Sequence, residues 1–282
     1  MNTNSPFRPG AQASAGESGP VPRTKASDDS PSTAVERALA ILEATAQRSG
    51  MTNAEISRKL RIPKSSASYL LRTLERAGYL RREREGGQYR LGLKVLSLSH
   101  RALADLDFRQ VAQPILRQLV ATSKITAHLA VLDQGQAVYI EKVDAPGFIK
   151  MDTWVGRRMD LHSTSVGKAL AAYLPVAELE GILKSRGLAK RTPQTITLAS
   201  RLLRELERVR HQGYAVDEEE NNLGVRCVAA PVFNTLGEVE ASVGLTGTIA
   251  QLSRSSVPKV AELVREAARK ISQQMGYSAR RP

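Results

Sequence analysis

The sequence predicts an α+β protein of two domains: a small N-terminal domain of helices and one hairpin, and a larger domain with a mostly antiparallel sheet. Its 282 residues are enough for two domains. Between residues 52 and 92, a capped helix, a tight turn, a second helix and a basic hairpin follow one another. Further along, hairpins are flanked by helical patterns at both ends, which favours an antiparallel sheet with helices packed on it.

The first thirty residues differ in composition from the rest of the chain. Residues 1–30 are rich in serine, proline, glycine and alanine and contain few large apolar groups. Such a segment cannot bury enough surface to offset its ordering entropy, so we predict a disordered tail. Its balanced charge argues against the alternative role of tracking DNA. Order is predicted to begin near Ser32. The apolar stripe of the first helix is formed by Val35, Ala38, Leu39, Leu42 and Ala46.

Two helices and a hairpin complete the N-terminal domain, residues 31–92. The capping box Thr52-Asn53-Ala54-Glu55 begins one helix, and Pro63 favours the first turn of the next. The buried face of this next helix follows the i, i+3, i+4, i+7 pattern of Ala67, Leu70, Leu71 and Leu74. Short segments on both sides of Gly86-Gly87 predict a hairpin. A buried helix, a helix with a polar face and a basic hairpin together are typical of a winged helix-turn-helix that reads DNA.

The polar face and the hairpin supply the predicted DNA contacts. Residues 31–92 contain twelve lysines and arginines against six acids, the densest positive charge in a chain of net charge +13. Contacts to base edges or to phosphates are predicted for Ser65, Ser66, Ser68, Tyr69 and Arg72. Phosphate contacts are predicted for Lys64 at the helix start and for Arg81, Arg82, Arg84 and Arg90 on the hairpin. The alternative is an ordinary solvated helix face. Single-stranded nucleic acid is disfavoured, because aromatic residues make up only 4% of the chain and do not interleave with the basic residues.

The composition of the chain also indicates its cellular compartment and argues against a bound metal or cofactor. The single cysteine, Cys227, excludes an intramolecular disulfide framework and fits a reducing compartment. The first residues lack the charged and apolar regions of a signal peptide, and no apolar run approaches the roughly 18 residues that span a bilayer. These features predict a soluble, cytoplasmic protein with no membrane partner. The four histidines are scattered without metal-ligand spacing, so we predict no metal and no cofactor.

The remaining elements are predicted in chain order. Residues 93–107 form a linker helix, because apolar groups recur at 93, 96, 103 and 106 without a Pro/Gly-rich break. The larger domain, residues 108–276, is followed by a basic tail, residues 277–282. Its predicted helices cover residues 108–121, with Pro114 kinking the helix or marking its first turns, 164–174, 177–186, 198–212 and 255–275. Its predicted strands cover residues 128–132, 137–143, 148–155, 214–217, 225–232 and 239–245.

Several separated blocks, in the right order, carry a family resemblance. They are residues 38–42 (ALAIL), 90–92 (RLG), 155–170 (VGRRMDLHSTSVGKAL), 213–220 (GYAVDEEE) and 224–232 (GVRCVAAPV). Over residues 32–276 the chain resembles an IclR-type transcriptional regulator. The resemblance implies a winged helix-turn-helix domain joined by a helix to a GAF-like α+β domain that binds a small-molecule effector. It further implies a homodimer or dimer of dimers on a palindromic operator in double-stranded DNA.

The predicted effector site combines a loop, a helix start and two strands. On the residues alone, the Ser/Thr cluster after Met159 is either an anion cradle or plain N-capping. The resemblance favours a pocket for an organic acid or aromatic metabolite. Its predicted lining is Met159, Leu161, Thr164, Ser165, Val166, Asp217, Val225, Cys227, Gly244 and Thr246. Gly244 stands where relatives that bind very small acids carry serine, so we expect an enlarged pocket.

Other functions were weighed for the same residues. The alternatives for Cys227 are a reactive thiol and a small buried side chain, and no base or resolving cysteine is near it in sequence. The acidic run after Asp217 is more often a solvated turn than a catalytic cluster. An enzyme with an accessory DNA-binding module is the rival class. The sequence of the larger domain supplies no nucleophile–base pair, no phosphate loop and no set of metal ligands, so we predict a regulator that is not an enzyme.

Overall fold

The computed structural model describes residues 33–83, 85–104, 107–148 and 150–277. The chain divides into two compact units, Met1–Leu98 and Ser99–Pro282. Several predictions lie outside the described residues: the tail over residues 1–30, Arg84, positions 105 and 106 of the linker helix, and residues 278–282 of the basic tail. Within the described residues, no helix is both long and apolar enough to cross a membrane.

The first unit has the predicted order of helices and hairpin. Its elements are α1 (Ala34–Gln47), α2 (Asn53–Leu60), α3 (Lys64–Arg76), β1 (Leu80–Arg82), β2 (Tyr89–Leu91) and the start of α4 (Lys94–Ala104). The predicted capping box is confirmed: the Thr52 N–H donates to Glu55 Oε2 at 2.8 Å, and the Glu55 N–H donates to Thr52 Oγ1 at 3.3 Å. These hydrogen bonds lower the pKa of Glu55. β1 and β2 pair antiparallel, which confirms the hairpin.

The core of the first unit corrects the predicted face of α1. Ile41 and Ala44 are buried against α2 and α3, whereas Val35 and Leu39 are 70% and 55% exposed. The predicted stripe was therefore wrong at these two positions and at the exposed Ala46, although Ala38 and Leu42 pack against the core. Apolar residues occur on more than one face of α1, so periodicity alone does not select the buried one.

The second unit is a six-stranded antiparallel sheet with helices on both faces. Its helices are α5 (Asp107–Ser123), α6 (Ser165–Ala171), α7 (Val176–Arg186), α8 (Ala199–Gln212) and α9 (Val257–Gln274). Its strands are β3 (Thr126–Asp133), β4 (Gln136–Val143), β5 (Arg158–Met159), β6 (Ala215–Glu218), β7 (Val225–Phe233) and β8 (Val239–Thr248). The strand order is β5-β4-β3-β8-β7-β6, and all pairs are antiparallel. The α+β class and the antiparallel sheet are confirmed.

Side-chain alternation on the strands separates two cores. Leu129 and Leu245 face α5 and α9 on one side of the sheet. Ala130 and Ala229 face the other side, where they pack with Val166 of α6 and residues of α8. This second face carries the cavity described below, because α6 covers only part of it.

A strand predicted over residues 148–155 is not formed. The described part of this segment is a loop, and β5 contains only Arg158 and Met159. The Lys142 ammonium donates to the carbonyl oxygens of Met151 and Thr153 at 3.0 and 2.8 Å, so a side chain satisfies groups that a strand partner would otherwise bind. The strand-like composition therefore gave a wrong prediction here.

Candidate functional site

The helix-turn-helix of the first unit presents one polar face. Arg61 adopts a left-handed conformation (φ 52°) that ends α2, and the Ser57 hydroxyl donates to the Ile62 carbonyl at 2.6 Å. These contacts close the turn before α3. Ala67 and Leu71 of α3 are completely buried, so the opposite face of the helix is turned outward. A recognition helix held in this way can enter a major groove.

The predicted DNA-binding residues divide by exposure and by contacts. Six of them are exposed, namely Lys64, Ser65, Tyr69, Arg72, Arg81 and Arg82. Ser66, Ser68 and Arg90 are partly buried. The Arg90 guanidinium pairs with Glu83 and donates to Ser49 Oγ at 2.8 Å, so it already has partners within the unit. The Arg82 guanidinium lies 5.8 Å from the centre of the Tyr89 ring. Arg84 lies outside the described residues.

The sequence reasoning missed one basic residue beside the recognition helix. Arg37 of α1 lines a shallow groove of about 370 Å³ together with Ser65, Ser66 and Tyr69 of α3. Its position depends on how α1 packs against α3, and no local motif encodes that packing. The groove adds a cation to the face that carries the predicted base contacts.

The second unit contains a cavity of about 380 Å³ on the α6 face of the sheet. Eight of the ten predicted effector-binding residues line it: Met159, Thr164, Ser165, Val166, Asp217, Val225, Cys227 and Thr246. The sheet supplies its floor, the start of α6 one wall, and the loop before β5 another. Three separate sequence blocks thus meet at one place.

The two other predicted residues, Leu161 and Gly244, do not line the cavity. Leu161 is buried in the core under α6. A Cβ on Gly244 would lie 2.9 Å from Val166 Cγ1 and 3.3 Å from the Ala229 Cβ. The space left by the missing side chain is therefore filled by Val166, and the expected enlargement of the pocket is wrong. Gly244 instead lets α6 approach the sheet closely.

Asp217 is the most perturbed acid of the cavity. It is almost completely buried, and its Oδ1 accepts hydrogen bonds from the Glu220 and Asn221 N–H groups at 2.7 and 3.3 Å. Burial raises the pKa of Asp217 to about 7, although the Lys168 charge and the two hydrogen bonds oppose the rise. Near neutral pH this carboxyl group therefore either accepts or donates a hydrogen bond.

A buried ion cluster lies behind the cavity. Lys168 of α6 is 0% exposed, and its ammonium lies 2.5 Å from Glu220 Oε1 and 3.6 Å from Glu205 Oε1. Burial raises the pKa of Glu220, and the charge of Lys168 opposes the rise. The cluster joins α6 to α8 and to the turn after Asp217. The acidic run was predicted to be a solvated turn, but Glu220 is buried within it.

The remaining floor of the cavity is neutral. Burial raises the pKa of the Cys227 thiol well above its usual range, and Asp217 adds to the effect. A thiol held in its neutral form is a poor nucleophile, which favours the small buried side chain among the two alternatives for Cys227. His128 lies under the cavity, stacked on Tyr139 at 4.3 Å, with its ring nitrogens 2.8 Å from Thr153 Oγ1 and 3.4 Å from Thr246 Oγ1. Burial lowers the pKa of His128 to about 3, so its ring is neutral.

The start of α6 shows which of the two alternatives for the Ser/Thr cluster, an anion-binding site or a helix N-cap, applies to Thr164. Thr164 Oγ1 accepts from the Gly167 N–H at 3.1 Å and donates to the Asp160 carbonyl at 2.7 Å. Thr164 is thus an N-cap, and Ser165 beside it lines the cavity.

Several cavity residues were missed from the sequence. They are Tyr139, Lys150, Met151, Asp152, Thr153, Arg157, Asn221, Asn222 and Thr248. Four of the nine, residues 150–153, belong to the segment that was predicted to be a strand, so their convergence could not be anticipated. Lys150 donates to the Ala145 carbonyl at 2.9 Å, and the Arg157 guanidinium lies 4.8 Å from the centre of the Trp154 ring. The loop thus brings two cations to the cavity. Strand alternation could have found Thr248, two residues beyond Thr246.

Two family models match the chain, and together they cover most of it. The model described as the IclR helix-turn-helix domain matches residues 34–84, and the model described as the C-terminal domain of the bacterial transcriptional regulator IclR matches residues 100–273. The chain belongs to the IclR family.

Individual members of the family agree with this membership. The HTH-type transcriptional regulator XynR of Escherichia coli is 36% identical over 246 residues, which are 87% of this chain and 98% of XynR. The crystal structure of the Thermotoga maritima IclR superposes with a TM-score of 0.72 at 32% identity, covering 86% of this chain and 98% of that one. An IclR homologue from Microbacterium hydrocarbonoxydans, crystallised with 4-hydroxybenzoate, gives a TM-score of 0.75 at 26% identity over 87% of this chain and all of that one.

Family membership gives the two units their roles. The chain is an IclR-family transcriptional regulator, with a DNA-binding helix-turn-helix and a C-terminal effector-binding domain. The curated relatives carry the names of transcriptional regulators rather than of enzymes.

Proposed function

We propose that this regulator binds a palindromic operator as a homodimer or dimer of dimers, and that an organic acid or aromatic acid in the 380 Å³ cavity modulates this binding. The cavity carries the proposal, because it combines polar groups of opposite character in an enclosed space. We further propose that the protein catalyses no reaction and works in the cytoplasm, where the bacterial chromosome is.

The charges around the cavity favour one orientation of the ligand. Lys150 and Arg157 line one wall, and the buried Asp217 lies in the floor beside Cys227 and Thr246. A ligand carboxylate is attracted by the two cations and repelled by an ionised Asp217. We therefore propose that the carboxylate lies toward the loop and that a hydroxyl group donates to Asp217. 4-Hydroxybenzoate, which a family member binds, carries these two groups at opposite ends.

The DNA-binding half of the proposal rests on α3 and the hairpin. The exposed Arg72 and Tyr69 are proposed to reach base edges, with Ser65, Ser66 and Ser68 bonding bases or phosphates. Lys64, Arg81, Arg82 and Arg84 are proposed to contact phosphates, with Arg90 supporting the hairpin through Glu83.

Exposed apolar side chains of the first unit support a dimer. Val35, Leu39, Leu93, Leu96 and Leu98 are all exposed, and several exposed apolar side chains on one small unit favour a contact with a partner. A two-fold dimer presents two recognition helices, so its operator has matching symmetry. The effector then changes operator affinity to the extent that it binds one arrangement of the dimer more tightly.

A ligand experiment tests the cavity. Thermal unfolding is measured with 4-hydroxybenzoate and a panel of short-chain and aromatic acids, for the wild type, Asp217→Asn and the control Asp133→Asn. Asp133 is the last residue of β3, pairs with Arg158 and does not line the cavity. We expect at least one acid to stabilise the wild type and the control, and to stabilise Asp217→Asn less.

Two outcomes would contradict the proposal. Equal stabilisation of all three proteins would place the ligand outside the cavity. If chromatography shows that the protein consumes the stabilising acid, the rival enzyme class would be favoured over a sensor.

A further inference from the structure

A second and larger cleft lies in the C-terminal unit, apart from the effector cavity. It measures about 990 Å³ and lies between α8, the edge strand β6 and the short 3₁₀ turn Arg254–Ser256. Its lining residues and those of the effector cavity do not overlap. A ligand in the cleft would therefore contact a different set of side chains from a ligand in the effector cavity.

Arginines dominate the walls of this cleft. Arg201, Arg204 and Arg208 line it from α8, and Arg254 lines it from the 3₁₀ turn. The three on α8 are spaced i, i+3 and i+7, so they form one row about 10 Å long at 1.5 Å per residue. Guanidinium groups on facing walls suit a ligand with two separated anionic groups, each of which can bind in a bidentate manner.

The arginines of the row differ in their existing partners. Arg208 pairs with Glu205 at 2.7 Å, and Arg254 pairs with Glu218 at 2.9 Å. Among the residues that the structure describes, the side chains of Arg201 and Arg204 have neither an ion pair nor a hydrogen bond. Both are exposed, so their donors are available to a ligand.

Two of the three acids of the cleft pair with cations from inside the protein. Glu220 pairs with the fully buried Lys168, and Glu218 pairs with the buried Arg226. The surface seen by a ligand is therefore net positive despite the three glutamates in the lining.

One polar atom of the lining has no partner. Glu220 is 7% exposed, and its Oε2 has no hydrogen-bond partner in the described part of the chain, while Oε1 contacts Lys168. Buried acceptors without a partner are uncommon in folded proteins, so each calls for an explanation such as a bound group. A carboxylate oxygen accepts hydrogen bonds, so the group that completes it is a donor such as a hydroxyl.

The open edge of the sheet does not favour a peptide as the occupant. The Tyr214 carbonyl, at the start of β6, accepts from Gln212 Nε2 at 2.6 Å, and the Glu218 N–H at its end points to Glu220 Oε1 at 3.5 Å. Side chains thus occupy both ends of a four-residue edge, which is a common protection against strand addition. A small molecule fits these observations better than an added strand.

We propose that this cleft is a second ligand site, for a small polyol that carries at least two anionic groups, such as a sugar bisphosphate. Arg201 and Arg204 bind one anionic group, Arg254 and Arg208 bind the other, and a hydroxyl of the ligand donates to Glu220 Oε2. Because Glu220 also belongs to the Lys168 cluster behind the effector cavity, occupancy of the cleft and of the cavity are coupled through that cluster.

Isothermal titration calorimetry of the full-length protein with fructose 1,6-bisphosphate tests the site. We expect one site per chain, affinity at least tenfold weaker in Arg201→Gln/Arg204→Gln, and affinity within twofold of wild type in Arg265→Gln/Arg269→Gln. The control pair lies on α9, outside the cleft, and removes the same charge from an exposed helix face. Pyrophosphate, which has no hydroxyl of the sugar type, is expected to bind at least threefold more weakly, and fructose is expected not to bind.

Each alternative result overturns part of the proposal. Absence of binding to the wild type would mean that the cleft is not a site for this ligand class. Equal loss in the control pair would mean that the ligand is held only by the net charge of the protein. Loss of binding in Arg157→Gln would place the anion in the effector cavity instead. Equal affinity for pyrophosphate would refute the role of Glu220.

Discussion

Replacing Asp217 with asparagine isolates the cost of burying a carboxylate in the effector cavity. Asp217 accepts two backbone hydrogen bonds through Oδ1, and an asparagine amide oxygen can accept the same two. The change therefore removes the charge and retains the turn. Lys168, Glu220, Cys227 and Tyr139 are the titratable groups that face Asp217, and the substitution leaves all four in place.

The sign of the effect follows from the raised pKa. In the unfolded chain the carboxyl group loses its proton near its ordinary pKa of 3.8, and in the folded protein near 7. Between these values the folded state binds more protons, so wild-type stability falls as the pH rises, and the loss is complete above about 7. At about 1.4 kcal/mol for each pH unit between the two pKa values, the total cost is about 4 kcal/mol. The asparagine variant does not incur this cost.

Urea unfolding at pH 5 and pH 8 measures the effect. We expect Asp217→Asn to be more stable than the wild type at both values, with an advantage that grows by about 2–3 kcal/mol from pH 5 to pH 8. Asp133→Asn, at a partly exposed aspartate outside the cavity, serves as the control and should show no such growth. An advantage independent of pH, or a variant less stable than the wild type at pH 8, would refute the reasoning.

Three further substitutions have definite expected results. Gly244→Ser forces its Cβ against Val166 and is expected to lower the free energy of unfolding by about 1–3 kcal/mol, whereas unchanged urea unfolding would contradict the close approach of α6. Lys168→Met leaves Glu220 buried without its cation and should cost about 3–5 kcal/mol, most of which Glu220→Gln in the same chain should restore. Arg72→Ala should weaken binding to a selected DNA duplex at least tenfold with no change in urea unfolding; equal affinity would remove Arg72 from the interface.

The elements with local signals were predictable from the sequence. The capping box at Thr52 and the apolar spacing of Ala67, Leu70 and Leu71 depend on residues within two turns of each other. Strand alternation likewise predicted most of the C-terminal sheet. These features need no knowledge of distant packing, so the sequence was sufficient for them.

Features that depend on distant packing were not predictable. The choice of Ile41 over Leu39 as the buried side of α1 is made by α2 and α3. The loop before β5 is shaped by the Lys142 side chain, whose carbonyl partners lie nine and eleven residues further along the chain.

In the cavity too, contacts between residues that are far apart in sequence could not be predicted. The blocks that carry the family resemblance implied one pocket for Asp217, Cys227 and Thr246. They could not show that Val166 fills the space beside Gly244, because those residues are far apart in sequence and meet only in the folded sheet. The cations Lys150 and Arg157 were missed for the same reason.

The central claim is that a ligand in the cavity controls the DNA affinity of the helix-turn-helix. Its most direct test is fluorescence anisotropy with a duplex that the purified protein selects from genomic fragments, with and without an acid that stabilises the protein. The account predicts that the acid changes the Kd of the wild type at least fivefold and that of Asp217→Asn by less than twofold. The same change in both proteins, or no change in the wild type, would contradict it.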